Sequence, residues 1–179
     1  SDSHFTNKIT SVLGNKWRAL DYKAVVGLPD EVIPEWIQNE LGSMNIPNIG
    51  KFLKEEARSV TMFRGISLHQ DIIDFPLRHP DFITVYIYLD EVTINSAPLM
   101  IVPNSHLNGA QQFPHNYVRM ADANKIKYTN KFSSNYDVLT LTGEIGDVLF
   151  WHPYLLHGTQ PVTSGLPRVS LRLLIEKNA

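Results

Sequence analysis

His69-Gln70-Asp71 sets an imidazole and a carboxylate two residues apart. In an extended chain, positions i and i+2 project to the same side, so both groups can grip one ion. A third neutral nitrogen ligand would complete a 2-His-1-carboxylate facial triad, the arrangement that leaves three adjacent positions open on a non-haem Fe(II). Candidates for it lie in the run from Gly146 to Thr159, which holds His152 and His157. Pro153, a turn former, stands beside His152 and favours His157. Eleven residues after His157 comes Arg168, and Arg168-Val169-Ser170 sets a guanidinium fork and a hydroxyl on one face. That pair suits bidentate capture of a carboxylate with an added hydrogen bond. The turn-rich Thr163-Ser164-Gly165-Leu166-Pro167 between them reads as a hairpin connection that would lay the two strands side by side. Arg172 lies further along the same face. An isolated His-x-Asp arises often by chance, so the weight rests on the set.

The composition limits what such a site can be made of and where it can act. The 179 residues are 43% hydrophobic and 19% charged, as expected for one compact domain, residues 1–179, with a sizeable core. Sixteen Lys+Arg against eighteen Asp+Glu leave a net charge of -2, so no global positive field gathers nucleic acid. Apolar runs such as Val148 to Trp151 fall far short of the roughly 20 residues of a membrane span. Ser1-Asp2-Ser3-His4 reads as a trimmed start rather than a targeting peptide, and the expectation is a cytoplasmic protein without nucleic-acid or membrane partners. Zero cysteines remove thiol catalysis and Cys-ligated zinc or iron-sulfur centres, leaving His, Asp and Glu as the metal ligands.

The elements that must position these groups are mainly β. Residues 1–58 read as a helical portion packing on a barrel. Val32, Ile33, Trp36, Ile37 and Leu41 recur at helical spacing over about Asp30 to Glu40, closed by Gly42, with Pro34 as an alternative start, and Phe52 to Arg58 could form a second short helix. Over 59–179, short runs separated by Gly, Pro, Asn and Asp predict strands at Ser59–Arg64, Ile66–His69, Phe82–Leu89, Leu99–Val102, Tyr136–Leu141, Asp147–Trp151, Leu155–Gly158 and Arg168–Ile175. Eight short strands suit a double-stranded jelly roll. In one of them Ile83, Val85, Ile87 and Leu89 alternate with Thr84, Tyr86 and Tyr88, a polar aromatic face able to line a cavity. The segment at about 107–135 has few strand signals and suits a lid-like insert. Its basic group, Arg119, Lys125, Lys127 and Lys131, reads as a solvated loop.

Taken together, the pieces resemble the phytanoyl-CoA dioxygenase family of Fe(II)- and 2-oxoglutarate-dependent oxygenases. Leu68-His69-Gln70-Asp71, Phe75-Pro76-Leu77-Arg78, Tyr86-Ile87-Tyr88-Leu89-Asp90, Leu99 to His106, the Gly146 to Thr159 run and Arg168 agree with it in order and spacing, from about Ser67 to Ile175. The resemblance implies a double-stranded β-helix (jelly roll, cupin-like) with flanking N-terminal helices. It implies that His69, Asp71 and His157 ligate iron, and that Arg168 holds the distal carboxylate of 2-oxoglutarate with Ser170 or Thr159 assisting. O2 would then oxidise a C-H bond of a small organic substrate, by hydroxylation or a related oxidation such as desaturation, with release of succinate and CO2. Halogenating relatives replace the carboxylate ligand with a small residue, and Asp71 is present. Two departures stand out. The family's Pro-Gly-Ser-His is Pro103-Asn104-Ser105-His106 here, and Asn readily accepts a left-handed turn, so His106 reads as a turn residue or a neighbour of the ligands. The core also usually follows a longer N-terminal portion.

Two other classes compete. Jelly rolls also serve as non-catalytic metal- or ligand-binding modules. A His-His-Asp set could hold zinc and a hydrolytic water. Neither consumes 2-oxoglutarate, and Arg168 argues against the hydrolase.

Overall fold

The alternation in Phe82–Tyr88 decides how the molecule is layered. In a computed structural model of the chain, which describes residues 2–42, 44, 48–121, 124–129, 135–163 and 165–178, this strand is β4, and it lies inside a five-stranded sheet. One neighbour is β10 (Val148–Trp151); the other is β12 (Arg168–Lys177), followed by β1 (Trp17–Gly27) and β2 (Thr61–Phe63). All pairings are antiparallel except β1 with β2. A second sheet runs β3 (Ile66–His69), β11 (His157–Thr159), β5 (Leu99–Ile101), β9 (Leu139–Leu141). The inner faces meet over Val25, Phe63, Tyr86, Tyr88, Leu99 and Trp151, so this is the double-stranded β-helix of mainly β class that the sequence predicts.

The outer face of the large sheet is covered by α1 (Asp2–Leu13), a flanking N-terminal helix inside the expected helical portion, although no individual helix was placed at these residues. Its apolar residues Phe5, Ile9 and Leu13 recur every four positions and pack on Ile83, Val85 and Ile175. The helical reading of 1–58 needs correction. Trp17–Gly27 is an eleven-residue strand at the heart of the sheet, paired along its length with β12. A register shift between Ala19 and Asp21 breaks its alternation, and that break hides it from a period-two reading. The expected helix over Asp30–Glu40 is a 3-10 turn at Asp30–Val32 followed by α2 (Glu35–Leu41), because Pro34 caps the start. Gly42 ends it with a positive φ of 44°, which glycine adopts without a side-chain clash. Phe52 to Arg58 holds only the 3-10 turn Glu55–Ala57, after another at Ile49–Phe52.

Two further expectations are corrected by the sheet order. Arg168 and His157 are not joined by a hairpin, since both edges of β11 are taken by β3 and β5 and both edges of β12 by β4 and β1. The connection crosses from one sheet to the other; Ser164 lies outside the described residues. The insert is not a loop either. It contains a third sheet, β6 (Tyr117–Arg119), β7 (Lys125–Tyr128) and β8 (Asn135–Asp137). Ile126 and Tyr128 pack against Leu68, Met100, Val102 and Leu156 on the outer face of the small sheet. Tyr136–Leu141 therefore splits between two sheets. Arg119, Lys125 and Lys127 are exposed there, and Lys131 lies outside the described residues. No helix among the described residues is long and apolar enough to cross a membrane.

Candidate metal centre

His69 ends β3, His157 begins β11, and the two stand opposite each other in the antiparallel pair. That pair can close only because residue 158 is glycine: a Cβ there would lie 2.5 Å from the Ile66 carbonyl oxygen. Asp71 opens the 3-10 turn Asp71–Asp74 directly after β3, which swings its carboxylate back toward both imidazoles. Gln70, between the ligands, points the other way. Its amide donates to the carbonyls of Gly109 and Tyr154 at 3.0 and 2.6 Å and accepts from the Gln111 N–H at 2.8 Å, tying the insert and the 153–154 turn to the ligand segment.

One donor atom from each of His69, Asp71 and His157 lies within 4.8 Å of the other two, and among the described residues this is the group assembled for a metal. Each imidazole is oriented through Nδ1 by the carbonyl two residues before it, Ser67 at 3.0 Å and Leu155 at 2.9 Å. Asp71 Oδ2 accepts from Thr84 Oγ1 and, at 2.8 Å, from Trp151 Nε1. Its Oδ1 faces His157 Nε2 at 3.5 Å. One carboxylate oxygen is thus fixed by the protein while the other faces the centre, as ligating carboxylates require.

The electrostatics suit a cation. Burial, reinforced by the charge of His157, pushes His69 down to about 3, so it stands neutral and ready to ligate. Burial acts to raise Asp71, but the charge and hydrogen bond of His157, with His69 and Thr84, outweigh it and hold the carboxyl well below its usual range. His157 moves up despite its burial, because Asp71 stabilises the charged form. The Asp71 carboxylate thus favours a positive charge beside His157, the charge a metal dication would supply.

His69, Asp71 and His157 line a cavity of about 70 Å³ together with Tyr86, Thr159 and Arg172. Thr159 Oγ1 accepts from the Ile66 N–H at 3.1 Å. Arg168 is 1% exposed and lies deeper, its guanidinium 5.6 to 6.0 Å from the ring centroids of Phe63, Tyr86 and Tyr88. Its Nη1 donates to Tyr86 Oη at 3.0 Å and to Ser170 Oγ, while Nε and Nη2 are buried without a partner. Among the described residues no carboxylate pairs with it. Tyr86 stands between this cation and the metal cavity, touching both.

His106 and His152 stay outside the centre. Asn104 adopts the left-handed turn, φ 63°, and the His106 ring lies 5.7 Å from that of His152. The sequence reading missed Trp151 and Gln70 as contributors, and His115 lies outside the cavity lining. His115 is 8% exposed, pushed down to about 4 by burial and by the charge of His157, and bonded through Nδ1 to Tyr128. Thr84 and Tyr86 were visible only as one face of an alternating strand.

The sequence profile of the family described as phytanoyl-CoA dioxygenase (PhyH) matches residues 16–170. The chain belongs to the phytanoyl-CoA dioxygenase family. Among curated relatives, human peroxisomal phytanoyl-CoA dioxygenase is 30% identical over 95 residues, covering 51% of this chain and 28% of that protein. L-proline trans-4-hydroxylase from Streptomyces griseoviridis is 26% identical over 106 residues, covering 51% and 39%. The matched stretch therefore spans well under half of either relative. Among solved structures, the epimerase SnoN in complex with Fe3+, alpha ketoglutarate and nogalamycin RO aligns with a TM-score of 0.63 at 14% identity, over 97% of this chain and 55% of that one. That likeness carries the fold alone.

Proposed function

We propose that the protein is an Fe(II)- and 2-oxoglutarate-dependent oxygenase in which His69, Asp71 and His157 hold the metal and Arg168, helped by Ser170, holds the remote carboxylate of the co-substrate. The residues fit such a metal: two neutral nitrogens and one oriented carboxylate leave three positions on one side open. When bound, Fe(II) supplies the redox chemistry that couples O2-dependent decarboxylation of 2-oxoglutarate to oxidation of a substrate C-H bond.

The buried, unpaired Arg168 carries the reading. Removing a cation from water without a partner costs several kcal/mol, and a fold keeps such a group where a ligand supplies the anion. The metal dication, the Asp71 carboxylate, a 2-oxoglutarate dianion and the Arg168 guanidinium sum to zero charge, so the loaded site is neutral within a low-dielectric barrel. The rest of the chain positions and excludes water: Tyr86 orients Arg168, Trp151 and Thr84 fix Asp71, and the apolar walls keep the cavity dry. The prime substrate is a small molecule, and its oxidation is coupled to the conversion of 2-oxoglutarate into succinate and CO2.

Purified protein given Fe(II), 2-oxoglutarate and O2 should form succinate in a metal-dependent way, with even slow turnover in the absence of prime substrate. No succinate and no 2-oxoglutarate binding to the metal-loaded protein would leave a binding module or a hydrolase instead.

A further inference from the structure

Arg172 lines the same cavity as the three ligands, on the β12 face that carries Arg168 and Ser170. Its guanidinium also reaches Asp21 and Asp74, neither of which lines the cavity, so it stands between the centre and these two acids. The side chain is 15% exposed. Nη2 donates to Asp21 Oδ2 at 2.8 Å and Nη1 stands 3.8 Å from Asp74 Oδ2, while Nε is buried without a partner. The two acids are 41% and 56% exposed, and Asp21 has a second cation, Lys23 Nζ, at 3.8 Å. The cation is therefore fixed on the cavity wall, whereas its acids lie outside the cavity lining and stand partly in water. Exchanging Asp21 for the carboxylate of a ligand leaves every charge accompanied: Asp21 keeps Lys23 and solvent, and the guanidinium keeps an anion.

We propose that Arg172 anchors a carboxylate of the prime substrate beside the metal, and that Asp21 occupies its place in the free protein. This rests on the oxygenase reading above. Arg168 and Arg172 are four residues apart on one strand, about 13 Å along its axis, so one guanidinium serves the deep co-substrate and the other the entering substrate.

The test uses protein loaded with Mn(II) and saturating 2-oxoglutarate without O2, titrated calorimetrically with straight-chain monocarboxylates from acetate to hexanoate and with their primary amides. The acids should bind and the amides should not. Arg172→Gln should weaken acid binding about tenfold or more, and Asp21→Asn should tighten it severalfold, with 2-oxoglutarate affinity within about twofold of the parent in both. Arg172→Lys, which keeps the charge, covers the case in which the glutamine variant fails to fold, and should fall between parent and Gln. Equal binding of amides, weaker acid binding in Asp21→Asn, or a matching loss of 2-oxoglutarate affinity in Arg172→Gln would each overturn the assignment. Failure of the oxygenase reading looks different, because the parent itself would then not bind 2-oxoglutarate.

Discussion

His69 and His157 face each other with ring centroids 4.4 Å apart, and each is held through Nδ1 by the main-chain carbonyl of the second residue before it. A carbonyl can only accept, so Nδ1 carries the proton in both neutral rings and both Nε2 lone pairs are left for a ligand. The two histidines thus present the same nitrogen by the same local device, one from each strand of a pair.

One divalent ion per chain follows from this geometry. Asp71→Ala should abolish stoichiometric Fe(II) binding, because it removes both a ligand and the charge that balances the ion. His106→Ala should bind Fe(II) within about twofold of the parent, since that ring packs on His152 and contributes no atom to the centre. Anaerobic iron titration of folded protein checks both; equal losses would show the ligand set to be wrong.

Much of this centre was legible because its chemistry is written locally. His69-Gln70-Asp71 sits at a strand end, His157-Gly158-Thr159 is a strand, and Thr84, Tyr86 and Tyr88 share a face. The strand Trp17–Gly27 was not legible, for a physical reason. Although Val25 joins the core, the strand also sets Asp21 against Arg172 and Lys23 against Asp21, and its bulge resets the period. In α1 three apolar residues in twelve supply the contact with the sheet, too few to stand out from a polar N-terminal stretch. The hairpin expected before Arg168 failed because turn-rich sequence marks a connection without saying which sheet receives it.

Gly158→Ala should lose metal binding while leaving most of the fold in place. The added methyl would meet the Ile66 carbonyl at 2.5 Å and push β11 away from β3, separating His157 from His69. Overpacking of this kind costs about 1 to 3 kcal/mol. Far-ultraviolet circular dichroism should stay close to that of the parent, with metal titration showing the loss; undiminished binding would mean that the strand pair does not set the ligand spacing.

Glu176 ties the far end of β12 to Arg78 and Arg18, and its side chain is 6% exposed. The hydrogen bond from Arg78, aided by that from Arg18, holds its carboxyl below the usual value although burial opposes this. A carboxyl depressed in the folded state stabilises above its unfolded pKa, and the contribution disappears as pH falls through the folded value. Glu176→Gln should therefore cost about 1 to 3 kcal/mol near pH 7, the more so because two guanidinium groups lose their acid, and the gap to the parent should close in strong acid. Denaturant melts at both ends of that range check the sign; a gap independent of pH would assign the effect to packing.

Arg168 is the residue on which the co-substrate reading turns. Its guanidinium is fixed by Tyr86 Oη and Ser170 Oγ on one side, and two N–H edges are left for a carboxylate. Lysine keeps the charge but cannot copy that fork or reach both hydroxyls. A charge-assisted pair in a partly dry site is worth about 1.5 to 3 kcal/mol, so Arg168→Lys should raise the KM for 2-oxoglutarate roughly ten- to a hundred-fold. Tyr86→Phe removes one neutral hydrogen bond to the guanidinium, about 0.5 to 1.5 kcal/mol, and should raise the same KM only severalfold. Arg172→Lys should leave that KM nearly unchanged, because its partners lie outside the cavity lining. Steady-state succinate formation against 2-oxoglutarate concentration orders the three variants, and a larger effect at Arg172 than at Arg168 would move the clamp two strand repeats along β12.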